Sequence, residues 1–111
     1  MASVLVIDDE RHLRSLLRDL LELEGHRVHV AVDGASARNA PGPFDLVVCD
    51  LRLPDGMGDA LVDDLRRLGP MPALFLSGDE DSLSDLDGES TLCKPFGIES
   101  FLGKVRQLLE K

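Results

Sequence analysis

Leu46-Val47-Val48-Cys49 is a run of four apolar residues with no helical period, followed at once by Asp50. A run this short and this uniformly apolar reads as a strand buried on both faces, and such a strand requires cover on both sides of its sheet. It also delivers one carboxylate to the strand's end. Val4 to Ile7 repeats the pattern and stops at Asp8-Asp9-Glu10. Ala73 to Leu76 stops at Ser77-Gly78, and Ser90 to Cys93 stops at Lys94-Pro95.

Helical periods fill the intervals. Leu13, Leu16, Leu17, Leu20 and Leu21 recur at i, i+3, i+4, i+7 and i+8, one apolar stripe closed by Gly25, which predicts a helix over residues 10–24. Val28, Val30 and Val32 alternate with Arg27 and His29, the pattern of an edge strand over 27–32. A short helix is expected over 34–40, ended by Pro41-Gly42-Pro43. The third strand is expected over 44–50, and a turn-rich loop containing Pro54-Asp55-Gly56 over 51–58. A third helix turns Leu61, Leu65 and Leu68 inward before a Gly69-Pro70 stop, and Ile98, Phe101, Leu102, Val105, Leu108 and Leu109 mark a last one. Strands alternating with helices at this spacing are βαβ units, which are right-handed and build a parallel sheet covered on both faces. With 111 residues there is room for one core. The expectation is a single α/β domain over residues 1–111, doubly wound and five-stranded.

In such sheets the working groups gather beyond the carboxyl ends of the strands. Here these are Asp8, Asp9, Asp50, Ser77 and Lys94. Three carboxylates in one place repel one another unless a cation is bound or one is protonated. Hard oxygen ligands suit Mg²⁺ or Mn²⁺, with Asp8 and Asp9 at the metal end. An Asp also accepts a phosphoryl group as an acyl phosphate when cations neutralise the transferring oxygens, which makes Asp50 the candidate nucleophile and Lys94 the second cation. The Ser77 hydroxyl can donate to a phosphoryl oxygen, with Gly78 leaving space beside it. Simpler roles compete: Asp8 and Asp9 as caps of the first helix, Ser77 as a turn residue, Lys94 as a surface lysine.

Asp8-Asp9, Asp50-Leu-Arg-Leu-Pro-Asp-Gly-Met-Gly, Ser77-Gly and Lys94-Pro-Phe, in this order and over nearly the whole chain, resemble a response-regulator receiver domain of two-component signalling, as in single-domain regulators and the receivers of hybrid histidine kinases. The resemblance implies a flavodoxin-like fold with strand order 2-1-3-4-5. It implies a phosphoprotein in which Asp50 takes a phosphoryl group from phosphohistidine on a sensor histidine kinase or histidine phosphotransfer protein. Mg²⁺ is then held by Asp9, Asp50, the Arg52 backbone carbonyl and usually Asp8. Such a domain is not an enzyme beyond catalysing its own phosphorylation and dephosphorylation. Arg52 and Asp79 flank the pocket at positions that in the family tune acyl-phosphate hydrolysis, and the Lys94-Pro95 bond is expected to be cis. The strand order puts one strand between Cys49 and Cys93, about 10 Å apart and beyond disulfide reach, so both thiols are expected free.

Two departures bear on output. Thr91 stands where the family's switch usually has Tyr or Phe, and only sixteen residues separate Ser77 from Lys94, fewer than a full fourth helix needs. Asp79 to Glu89 carries six acids and no base, with Leu83 and Leu86 as its apolar residues. A loop or a single helical turn is expected there, since short helices are marginal. The usual dimer face is thereby degraded, and the expectation is a monomer or weak dimer.

The net charge of −9 opposes direct nucleic-acid binding, and no apolar run is long enough for a membrane span. The opening residues do not read as a signal peptide, so the chain is expected in the cytoplasm. Arg11, Arg14 and Arg18 share one exposed helix face, solvated or facing an acidic partner, and the histidines lack metal-ligand spacing with a cysteine. The main alternative is a pseudo-receiver, a binding module that never takes phosphate. A flavin carrier on the same fold lacks its phosphate loop, and a haloacid-dehalogenase-like phosphatase needs a second Asp where Arg52 stands.

Overall fold

The computed structural model describes residues 1–110. Five parallel strands form the sheet: β1 (Ser3–Ile7), β2 (Arg27–Ala31), β3 (Leu46–Asp50), β6 (Ala73–Ser77) and β7 (Ser90–Cys93). Their order is β2-β1-β3-β6-β7, which in sheet strands alone is the expected 2-1-3-4-5. Between β3 and β6 the loop over 51–58 folds into a small antiparallel ribbon, β4 (Arg52–Leu53) and β5 (Gly56–Met57), which the turn residues alone did not announce.

All residues of β3 and β6 are buried, their apolar runs as that composition requires and the terminal Asp50 and Ser77 with them, whereas β2 alternates exposed and half-buried residues at the sheet edge up to the buried Ala31. Side chains alternate between two cores. Val4, Val6, Leu46, Val48, Leu74 and Leu76 pack under α1 (Arg11–Leu23) and α5 (Ile98–Leu109), whose Leu17, Leu21, Phe101 and Val105 complete that face. Leu5, Ile7, Val47, Cys49 and Phe75 face α2 (Gly34–Arg38), α3 (Gly58–Arg66) and α4 (Glu80–Ser84). Each fully buried leucine contributes roughly 2 kcal/mol, so packing outweighs propensity in placing the helices.

Within the α1 stripe, Leu17 and Leu21 are buried while Leu16 is 45% exposed. Leu68, expected inward, is 93% exposed. The cause is that α3 ends at Arg66, so Leu68 lies beyond the last helical turn and no longer shares its face.

The segment after β6 forms a five-residue helix with one buried apolar residue, Leu83, in agreement with the single turn expected there. Its N-terminus is capped by Asp79, which accepts from the Asp81 N–H. Its exit is pinned from α3: the Arg66 guanidinium holds both Glu89 oxygens at 2.6 and 3.1 Å and donates to the Met71 carbonyl. Both cysteines are free, with β6 between their strands. The Lys94-Pro95 bond is cis, as expected, and so is Gly42-Pro43.

Candidate functional site: an acid cluster at the carboxyl edge of the sheet

Parallel strands end on the same side, so the residues terminating β1, β3, β6 and β7 converge without any long-range sequence signal. Asp8 follows β1 and is fully buried, Asp50 ends β3 at 8% exposure, and Ser77 ends β6 at 4%. Asp9 stands exposed at the rim. Carboxylate oxygens of Asp8, Asp9 and Asp50 lie within 4.8 Å of one another. Lys94, the residue after β7, places Nζ 3.3 Å from Asp8 Oδ2 and 3.3 Å from Asp50 Oδ2. Its backbone N–H donates to the Ser77 carbonyl, continuing the β6–β7 ladder past the strand's end and fixing where the side chain starts.

The electrostatics follow from this burial. Burial raises the Asp8 carboxyl above its usual 3.8, against the lowering effects of the Glu10 N–H it accepts and of Lys94. For Lys94, burial works against the charge, but the attraction of Asp8 and Asp50 prevails and holds the ammonium above its ordinary value. The neighbouring Cys49 thiol is pushed up by burial and by the nearby carboxylates, so it is an inert core group. Among the described residues no buried side-chain nitrogen or oxygen lacks a hydrogen-bond partner.

Neither Asp8 nor Asp9 caps α1. Glu10 does, with its carboxylate accepting from the His12 and Leu13 N–H groups at 3.1 and 2.6 Å. The capping explanation for the acid pair is thereby removed. Arg14 does not belong to a purely solvated face, since its guanidinium donates to the Asp8 carbonyl at 3.0 Å.

Ser77 does take part in a turn: its Oγ accepts from the Asp79 N–H at 3.0 Å. That contact uses a lone pair and leaves the hydroxyl hydrogen free to donate. A Cβ on Gly78 would meet nothing within 4 Å, so the space beside Ser77 is open. Arg52 reaches across the mouth to Asp79 Oδ2 at 3.5 Å, and Ser82 Oγ donates to that same oxygen at 2.7 Å. Thr91 is half-buried on β7, in register with Phe75.

Three residues that shape the site were missed in the sequence. Gly58 opens α3 so close to β3 that a Cβ would sit 2.3 Å from the Asp50 carbonyl oxygen and 2.9 Å from Cys49 Sγ. Asp55, read only as a turn residue, accepts from the Gly34 and Ala35 N–H groups at 2.8 and 3.0 Å, and Gly34 leaves it the room to do so. The motif glycine was a usable signal for Gly58. Nothing local marks a contact spanning twenty residues.

A doubly wound sheet that gathers three carboxylates and a bridging lysine at its carboxyl edge defines a receiver-type signalling domain. The chain belongs to the response regulator receiver domain family, whose model matches residues 4–106. It is 35% identical, over its whole length, to the KDP operon transcriptional regulatory protein KdpE of Escherichia coli K12, of which it covers 52%. It thus spans about half the length of the curated relatives it matches. Among solved structures, the non-phosphorylated HemR receiver domain from Leptospira biflexa superposes with a TM-score of 0.86 at 32% identity, covering 100% of this chain and 96% of that one. The response regulator TrrA from Thermotoga maritima, solved with Mg²⁺ and BeF, gives 0.87 at 29% identity, covering 98% and 100%.

Proposed function

We propose that this domain accepts a phosphoryl group on Asp50 from a phosphohistidine carried by a sensor histidine kinase or a histidine phosphotransfer protein. The observation that carries the reading is the lysine bridge: Lys94 Nζ stands 3.3 Å from both Asp8 and Asp50, so cationic charge already sits where a transferred phosphoryl group would bring anionic charge. Three carboxylates within 4.8 Å also form an oxygen donor set that fits Mg²⁺ or Mn²⁺. Asp8, Asp9 and Asp50, with the Arg52 carbonyl, would hold the ion, which supplies positive charge against the phosphoryl oxygens.

An Asp50 carboxylate oxygen attacks phosphorus, an O–P bond forms, and the N–P bond of the phosphohistidine breaks with its electron pair leaving on the imidazole. The negative charge of the Asp50 carboxylate goes with the leaving imidazole, which takes up a proton from solvent, while the phosphoryl group brings its own negative oxygens within reach of the Lys94 ammonium. The Ser77 hydroxyl donates to one of them. Arg52 and Asp79 close the mouth and limit access of water to the acyl phosphate. Partner contact takes place in the cytoplasm with the domain as a monomer or weak dimer, and its net charge of −9 opposes direct contact with nucleic acid.

Incubation with Mg²⁺ and acetyl phosphate, followed by intact-mass measurement, tests this reading. The expected result is a gain of about 80 Da, one phosphoryl group, that Asp50→Asn lacks. No adduct on the wild-type chain would leave a pseudo-receiver in its place.

A further inference from the structure

The ribbon of β4 and β5 leaves directly from Asp50 and carries Arg52, yet it has only two residues on each side. An isolated two-stranded ribbon is marginal in water, so the pose of this one is set by what anchors it. Its base is anchored on the sheet: the Leu51 N–H donates to the Leu76 carbonyl, and the Gly58 N–H donates to the Leu51 carbonyl. Its tip is anchored elsewhere. Asp55, at the turn, extends both carboxylate oxygens to the Gly34 and Ala35 N–H groups on α2 at 2.8 and 3.0 Å.

The receiving side is shaped for this contact. Gly34 is buried, and a Cβ there would lie 3.1 and 3.3 Å from the two Asp55 oxygens and 3.0 Å from an Arg38 guanidinium nitrogen. Asp33 already caps α2 through the Ser36 N–H, so Asp55 takes the two preceding donors that the helix's own cap leaves open. Arg38 in turn pairs with Asp64 of α3 at 3.0 Å, which braces α2 against the helix that follows the ribbon.

We infer that Asp55 is a positioning residue for the acid site: its clamp on Gly34 and Ala35 fixes the ribbon after Asp50 and so sets the affinity of the site for Mg²⁺. This rests on the proposed function, because the ribbon matters to the metal through Arg52 and Asp50. Asp55 itself lies outside the acid cluster. Breaking the clamp releases the tip, and the backbone at Arg52, whose carbonyl would help hold the ion, is then held from the ribbon's base alone.

The test approaches the clamp from both sides. Asp55→Ala removes the acceptor, and Gly34→Ala displaces it with a methyl group while keeping the carboxylate. Mg²⁺ affinity is measured by titration of the unphosphorylated full chain, alongside thermal melts and amide exchange at Gly34, Ala35 and Gly58. Both variants are expected to melt cooperatively, to lose exchange protection at residues 34 and 35, and to bind Mg²⁺ about tenfold more weakly. Asp55→Asn, which keeps one acceptor oxygen, is expected to lose less. Wild-type Mg²⁺ affinity in folded Asp55→Ala or Gly34→Ala protein with the clamp demonstrably open overturns the inference alone. A wild-type chain that binds no Mg²⁺ overturns it together with the function it rests on.

Discussion

The residue whose replacement tells most about the site is one with no side chain. Gly58 lets the first turn of α3 lie against the Asp50 carbonyl, where a Cβ would sit at 2.3 Å from a backbone atom that has no room to rotate away. Gly58→Ala is therefore expected to destabilise the fold by about 3 kcal/mol, read as a lowered denaturation midpoint, and to reduce phosphoryl acceptance by shifting Asp50. The Asp55 carboxylate gives a pH signature at the same scale. The N–H donors of Gly34 and Ala35 lower its folded value below the ordinary 3.8. A lowered folded value means that the clamp's contribution is fully present above 3.8 and is lost as the pH falls through the folded value. The melting-temperature gap between wild type and Asp55→Ala should therefore be constant near neutrality and close in acid below 3.8. A gap that persists unchanged to the lowest pH at which the chain folds would contradict the clamp.

Among the elements, α4 is the weakest. It has five residues, one buried leucine, two acids in its first turn and no base in its last. Helices this short have little stability of their own, and its place is set by the Asp79 cap and by the Arg66 grip on Glu89 beyond it. Amide exchange over 80–84 is expected to be far faster than in α1, where Leu17 and Leu21 are fully buried. Strong protection across that segment would refute the claim. The α4 side was legible in the sequence because its shortness and acid content are local properties. The end of α3 was legible only in part: the Gly69-Pro70 stop marked its neighbourhood, but the helix ends at Arg66 ahead of that stop, so Leu68 continues the apolar spacing without sharing the helix's face.

Over the whole molecule, the sheet brings together carboxylates from positions 8, 9 and 50 and sets Lys94 as a cation bridging Asp8 and Asp50. A ligand that binds the folded chain alone stabilises it by mass action. At ten times its dissociation constant, Mg²⁺ is expected to add about 1.4 kcal/mol, or about 5 °C in melting temperature. Asp9→Asn should remove most of that gain while leaving the metal-free melt nearly unchanged, because Asp9 is exposed. Equal Mg²⁺ stabilisation of wild type and Asp9→Asn in calorimetry would take Asp9 out of the site.

By itself the sequence determined the five sheet strands, their parallel arrangement and the ends at which the polar residues gather, because hydrophobic period and strand-terminal polarity are properties of adjacent residues. It also delivered Asp8, Asp9, Asp50, Ser77 and Lys94 as a group, since parallel strands place their carboxyl ends on one edge whatever the loops do. Only the tertiary structure decided that Glu10 caps α1 in place of the acid pair, that Lys94 bridges two carboxylates, and that Asp55 and Gly58 anchor the chain around Asp50. Those contacts join residues far apart in the chain or depend on sub-ångström clearances, and neither leaves a periodic trace in the order of the amino acids.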